Sequence, residues 1–163
     1  VNDVTITLGS LPATTALGAA IGASLRPGDR VLLSGDLGSG KTTLARAIGV
    51  ALHAEPELTS PTFVLVSEHH GDLPIWHVDA YRLPVGSDAL HAGVIDERQQ
   101  RGVTLIEWPE HLEGLGADSA DVLSVHLAAG DGDVARTAVI RGARADLRAA
   151  LDAAFDTNEG DRG

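Results

Sequence analysis

Gly35-Asp36-Leu37-Gly38-Ser39-Gly40-Lys41-Thr42 is a full match to G-x-x-x-x-G-K-[ST], the pattern of a phosphate-binding loop. Its glycines let the backbone turn tightly, with positive φ free of a Cβ clash. Successive N–H groups can then converge on phosphate oxygens. Lys41 is placed to reach the β- and γ-phosphates, and the Thr42 hydroxyl to hold Mg²⁺. Upstream, Arg30-Val31-Leu32-Leu33-Ser34 reads as a buried strand; downstream, Thr43 to Leu52 reads as an amphipathic helix. Strand, glycine loop and helix start, in that order, form the context the pattern requires, because the helix dipole adds to the anion site. Lys41 is also the only lysine of the chain, kept where a compact ammonium must sit between phosphates.

The 163 residues fit one domain large enough to bury a core. Aromatic residues are only 3% of the chain, so Ala, Val, Leu and Ile must do the packing. The absence of cysteine excludes disulfides and Cys-based metal or nucleophile chemistry. No apolar run approaches a membrane span, and the first residues lack a signal-peptide layout; a cytoplasmic location and no membrane partner are expected. The formal net charge of −11 argues against binding nucleic acid by broad electrostatic attraction, so any contact with it is local or made through a partner.

Taken in order, Val4 to Leu8 alternates like a strand. A helix then runs from a start near Pro12 and Thr14 or Thr15 to about Leu25, with Leu17, Ala20, Ile21 and Leu25 as its core face. After the loop helix, a strand ending near Glu68, a turn at His69-His70-Gly71-Asp72 and a return strand Leu73 to Asp79 make a hairpin. His69 and His70 are no metal site, since adjacent side chains in a turn diverge. Short helices are expected at 88–91 and 95–101, with Arg98 and Arg101 on the surface. Val103 to Glu107 is an apolar strand broken by Trp108-Pro109-Glu110, and 112–119 is loop. Val122 to Leu127 and Val134 to Arg141 pair around a turn at 130–133, and a last helix spans Ala145 to Phe155. The predicted fold is α/β: a single-domain P-loop NTPase with a mainly parallel central sheet, antiparallel hairpin additions and flanking helices. Residues 1–155 form the domain, and 156–163 a polar tail expected to be disordered.

Hydrolysis or transfer also needs a carboxylate near Mg²⁺, usually at the end of an apolar strand beside the loop strand. Glu107 and Asp79 both end such strands, and strand C-terminal ends gather at the rim that carries the loop. Arg82, close after Asp79, is the arginine expected near the phosphates or paired to a structural acid. The guanine-reading N-K-x-D motif is absent, because the only asparagines are Asn2 and Asn158; ATP is therefore favoured over GTP.

Four blocks in order complete the pattern: Gly35 to Thr43, Ser60-Pro61-Thr62-Phe63, His77-Val78-Asp79-Ala80-Tyr81-Arg82-Leu83 and Ile106-Glu107-Trp108-Pro109. From about Thr14 to Arg141 the chain resembles the bacterial TsaE family, formerly the YjeE ATPases. That resemblance implies a compact P-loop ATPase, weak alone, required for the threonylcarbamoyladenosine modification of tRNA. It would act with the TsaB–TsaD pair, whose TsaD member transfers the group, and touch tRNA through that complex. By the same resemblance, ATP or ADP contacts Leu37, Gly38, Ser39, Gly40, Lys41, Thr42, Thr43, Asp79, Trp108 and Arg136. Thr42 and Glu107 hold Mg²⁺, and Asp79 sits beside the γ-phosphate or its water. Lys41, Asp79 and Glu107 form the catalytic set, and Ser60 to Phe63 a switch-like segment. Family members usually carry more acidic residues across 83–91, which bears on partner contacts. The rivals are a small-molecule kinase, which needs an acceptor pocket and lid, and a nucleotide-gated binding module without turnover.

Overall fold

A computed structural model describes residues 3–59, 65–130, 132, 135–155 and 158–159. The expected switch-like segment Ser60 to Phe63 lies outside them, as do Asp131 and Asp133 of the 130–133 turn and most of the tail. The strands are β1 (Val4–Leu8), β2 (Arg30–Ser34), β3 (Val66–His70), β4 (Pro74–Asp79), β5 (Ser87–Asp88), β6 (Val103–Glu107), β7 (Leu112–Glu113), β8 (Val122–Ala129), β9 (Arg136–Arg141) and β10 (Asn158–Glu159). The helices are α1 (Leu11–Ser24), α2 (Lys41–Ala51) and α3 (Ala145–Ala154). The main sheet has the order β10-β1-β9-β8-β2-β6-β4-β3. Its four central strands, β8, β2, β6 and β4, run parallel. Antiparallel strands extend it on both sides, through the β3–β4 and β8–β9 hairpins and β1, and β10 adds to the edge of β1. The result is a single-domain mixed α/β fold.

Period-2 alternation assigns the two sheet faces. Ile6, Val31, Leu33, Leu105, Val125 and Ile140 point to a core shared with Leu17 and Ile21 of α1, Leu44 and Ile48 of α2, and Leu147 and Leu151 of α3. All three helices therefore lie on one face. Leu32, Val78, Ile106 and Val122 point to the other, which Ala89, Val94, Leu112 and Leu115 cover from irregular segments. β6 is consequently buried along its whole length, as strands covered on both faces are.

This second layer departs from the expected short helices. Around 88–91 the chain makes a two-residue strand, β5, paired parallel with β7, and then turns. The Asp88 carboxylate accepts the His91 N–H at 2.9 Å, and Gly93, at φ 75°, ends the turn. The bond has the geometry of a helix N-cap, but the left-handed Gly93 stops the chain after this one turn. The 95–101 helix shrinks to a 3-10 turn over Glu97–Arg101, capped by Asp96 and stopped at Gly102. The expected loop at 112–119 begins with β7. The histidine turn is also displaced: β3 runs on through His70, because Glu55 and His70 exchange two backbone hydrogen bonds of 2.7 and 2.9 Å. His69 is buried and His70 exposed, on opposite faces of the strand.

Two glycines set how closely α1 lies on α2. A Cβ at Gly18 would come within 2.9 Å of the Ala47 carbonyl carbon, and one at Gly22 within 2.6 Å of the Ala51 Cβ. Gly18→Leu is expected to cost about 3 kcal/mol and to lower the melting temperature by roughly 6–12 °C, because overpacking outweighs the gain in helix propensity. A thermal melt within 2 °C of the parent (on the order of 0.5 kcal/mol) would contradict this packing. At the end of α1, Arg144 clamps Asp29 at 2.5 and 3.0 Å and the Ser24 carbonyl at 3.0 Å, tying the start of α3 to the turn that feeds β2.

Candidate nucleotide-binding site

The loop between β2 and α2 emerges at the C-terminal rim of the parallel strands. Gly35, Gly38 and Gly40 all have positive φ, of 141°, 76° and 104°. Gly35 admits no side chain, since a Cβ there would lie 2.6 Å from Ser39 Oγ and against the Leu127 carbonyl. At the start of α1, Ser10 Oγ accepts the Ala13 N–H at 3.3 Å. The start of α2 has Gly40 at the cap position, no side-chain cap and no acidic residue in its first turn. Its leading N–H groups, which no helical carbonyl can satisfy, are left for an anion, and the helix dipole reinforces the preference.

Lys41 is buried at the first position of α2 and turns back over the loop. Its Nζ donates to the Gly35 carbonyl at 2.6 Å, to the Asp36 carbonyl at 2.9 Å and to Ser39 Oγ at 3.5 Å, and it lies 4.2 Å from the centre of the Trp108 ring. Burial pushes its pKa below the usual lysine value, while Glu107, Glu110, Asp79 and Asp36 pull it back up. The next residue faces the strands: Thr42 Oγ1 donates to Glu107 Oε1 at 2.7 Å. The other carboxylate oxygen, Oε2, lies 2.6 Å from His77 Nε2. Thr42, Glu107 and His77 thus form one chain of hydrogen bonds from α2 across β6 to β4.

Asp79 ends β4 directly opposite Glu107 in the parallel register, on the face that carries α2. Half-buried, it accepts the Tyr81 N–H through Oδ1 at 3.0 Å. Trp108 follows Glu107 in the left-handed region, at φ 60° and ψ 48°, a conformation uncommon for a bulky residue. Its N–H reaches the Leu33 carbonyl at 3.3 Å, and its ring packs against Tyr81 and His111 at centroid distances of 5.0 and 5.6 Å. The backward turn brings the indole over Lys41.

On the other flank of the loop, Gly38, Ser39, Gly40, Thr43 and Arg136 border an open cavity of about 210 Å³ with Leu8, Leu11, Thr14 and Leu127. Arg136 donates to the Ser39 and Gly38 carbonyls at 3.1 and 3.0 Å. It is the arginine seen holding the loop; Arg82 is exposed in the turn after β4, and Leu37 is exposed at the loop tip. Sequence reasoning quoted His77 in the third family block but gave it no role in the site, and it placed none of the cavity residues Leu8, Leu11 and Thr14 there. His77 carried one signal, its place two residues before Asp79 on a strand. Among the described residues no group of three or more His, Cys, Asp or Glu side chains could hold a metal ion on its own, and no helix is long and apolar enough to cross a membrane.

Fold and site define a mixed α/β protein with a glycine loop between a central parallel strand and a helix, and a hydroxyl–carboxylate pair at the loop's mouth. The chain belongs to the TsaE family: residues 8–138 match the family model described as threonylcarbamoyl adenosine biosynthesis protein TsaE. It is 45% identical over 97 residues to the tRNA threonylcarbamoyladenosine biosynthesis protein TsaE of Streptomyces coelicolor, covering 58% of this chain and 66% of that protein. The TsaE protein of Treponema pallidum is 36% identical over 99 residues, covering 61% of this chain and 73% of the relative. The crystal structure of Bacillus subtilis YdiB has the same fold, with a TM-score of 0.68 over 94% of this chain and 95% of that one, at 24% identity.

Proposed function

We propose that this chain is a magnesium-dependent ATPase serving the formation of threonylcarbamoyladenosine in tRNA, acting with TsaB and TsaD rather than transferring the group itself. The observation that carries the reading is the 2.7 Å hydrogen bond between Thr42 and Glu107, beside a loop whose lysine is already folded over it. A P-loop NTPase needs a phosphate cradle, an ammonium, a metal-holding hydroxyl and an acid, and the loop backbone with the side chains of Lys41, Thr42 and Glu107 is suited to those roles.

The donor set fits a magnesium ion. The Thr42 hydroxyl and the Glu107 carboxylate are hard oxygen donors, which Mg²⁺ takes together with water and substrate phosphates. When bound there, the ion neutralises charge on the β- and γ-phosphates. The chain's own residues do the rest. Backbone N–H groups from Gly38 to Thr43 receive the phosphate oxygens, and Lys41 exchanges its loop carbonyls for the β- and γ-phosphates. These donors are fixed before the reaction, which is what makes electrostatic stabilisation effective. Asp79 orients the water that attacks in line on the γ-phosphate, and Trp108 covers the ammonium and excludes solvent. The cavity beside Thr43 receives the nucleoside, with apolar walls from Leu8, Leu11 and Leu127 for the base and Arg136 at its edge.

Arg136→Ala is expected to weaken ATP and ADP binding about 10-fold by calorimetry, the order of one charge-assisted hydrogen bond; unchanged affinity would remove Arg136 from the site. The function itself is tested by measuring the modified nucleoside formed on tRNA by TsaB and TsaD, with and without this chain. Sustained formation only with the wild-type chain and hydrolysable ATP supports the reading. Equal formation with a non-hydrolysable analogue would leave a nucleotide-gated binding module instead.

A further inference from the structure

His77 lies on β4, two residues before Asp79, so both side chains fall on the sheet face that carries α2. Its register partner on β6 is Leu105, and Glu107 follows two residues on. The imidazole is fully buried. Nε2 is 2.6 Å from Glu107 Oε2, and Nδ1 has no hydrogen-bond partner among the described residues. A histidine retained only to fill a core is expected to have both ring nitrogens satisfied. Here the bond that is made goes to the carboxylate of the site.

The terminal torsion of a glutamate is intrinsically broad. One bond to each oxygen, from Thr42 at Oε1 and His77 at Oε2, removes that freedom and leaves further lone pairs free on both oxygens. With its proton on Nε2 the imidazole donates without bringing the permanent positive charge of an arginine. The carboxylate is oriented, and its negative charge stays available to a cation.

We propose that His77 is a positioning residue that holds Glu107 in the orientation a magnesium ion requires, and so sets affinity for the metal rather than for the nucleotide. The inference rests on the magnesium-dependent reading above. It is analogous to the outer partners that orient ligands at other metal sites, whose removal costs about 10–100-fold in metal affinity.

The test is calorimetric ADP binding by the full chain in EDTA and across a magnesium titration, for wild type, His77→Leu and His77→Gln. The glutamine amide nitrogen takes the place of Nε2 and keeps a donor. His77→Leu is expected to raise the magnesium concentration of half-effect about 10–100-fold, with affinity in EDTA within about twofold. His77→Gln is expected to restore the magnesium response to within about threefold of wild type. If the leucine variant does not fold, His77→Asn, whose amide stops short of Glu107, carries the same expected loss. A folded leucine or asparagine variant with the wild-type magnesium response overturns the proposal, as does a glutamine variant that loses as much as leucine. If wild-type binding is itself indifferent to magnesium, the metal reading falls and His77 with it; a responsive wild type beside an equally responsive His77→Leu removes His77 alone.

Discussion

Glu107→Gln is expected to reduce ATP turnover by about 100- to 1000-fold, the scale of losing one preorganised electrostatic group at a reacting centre. The change keeps the shape of the side chain and removes its charge. Glu107 is nine-tenths or more buried, and both of its oxygens accept hydrogen bonds in the present arrangement, from Thr42 and from His77. An amide offers one oxygen, so either Thr42 or His77 must lose its acceptor, and the magnesium ion of the proposed function would lose an anionic ligand. Nucleotide binding without magnesium is expected to stay within about threefold, since the loop N–H groups and Lys41 are untouched. The melting temperature is expected to stay within about 3 °C, because removing a buried charge offsets the lost hydrogen bond. Steady-state phosphate release and a thermal melt decide the matter: turnover within threefold of wild type would take Glu107 out of the chemistry.

Lys41→Ala is expected to weaken ATP binding at least about 100-fold, as removal of one partner of a buried charge pair does. Folding should suffer little. Burial already pushes the Lys41 pKa down, so the ammonium is not a strong stabiliser of the empty protein. Its hydrogen-bond partners there are the Gly35 and Asp36 carbonyls and, at 3.5 Å, Ser39 Oγ, which water can replace. Lys41→Arg is expected to fail as a rescue, because a planar fork cannot occupy the place of a compact ammonium between the loop and the Trp108 ring. A calorimetric titration separates the outcomes; an alanine or arginine variant that binds ATP within tenfold of wild type would contradict the assigned role.

The legible parts of this chain were those whose signal is local. β2, the glycine loop and α2 follow one another without a gap, and each has its own signature: apolar run, glycine spacing and helical period. The placement of Asp79 and Glu107 at strand ends was readable too, since both follow apolar stretches. Sequence alone could not show that they stand directly opposite each other, because the β4–β6 register joins residues about thirty apart. The same register hid the bond between His77 and Glu107. The cavity beside Thr43 was hidden for a related reason. Leu8, Leu11 and Thr14 reach the loop only because β1 is paired through β9 and β8 to β2 and because α1 packs closely on α2 at Gly18 and Gly22. The short helix expected at 88–91 is replaced by β5, paired with β7, and a turn that ends at Gly93, while the one expected at 95–101 is present as the shorter 3-10 helix Glu97–Arg101, capped by Asp96 and stopped at Gly102.

Phosphate release from ATP by the purified chain, alone and with TsaB, TsaD and tRNA in magnesium buffer, is the decisive measurement. Slow release alone, strong stimulation by the partners and loss of that stimulation in Glu107→Gln are expected. ATP binding with no turnover under either condition would contradict the ATPase reading.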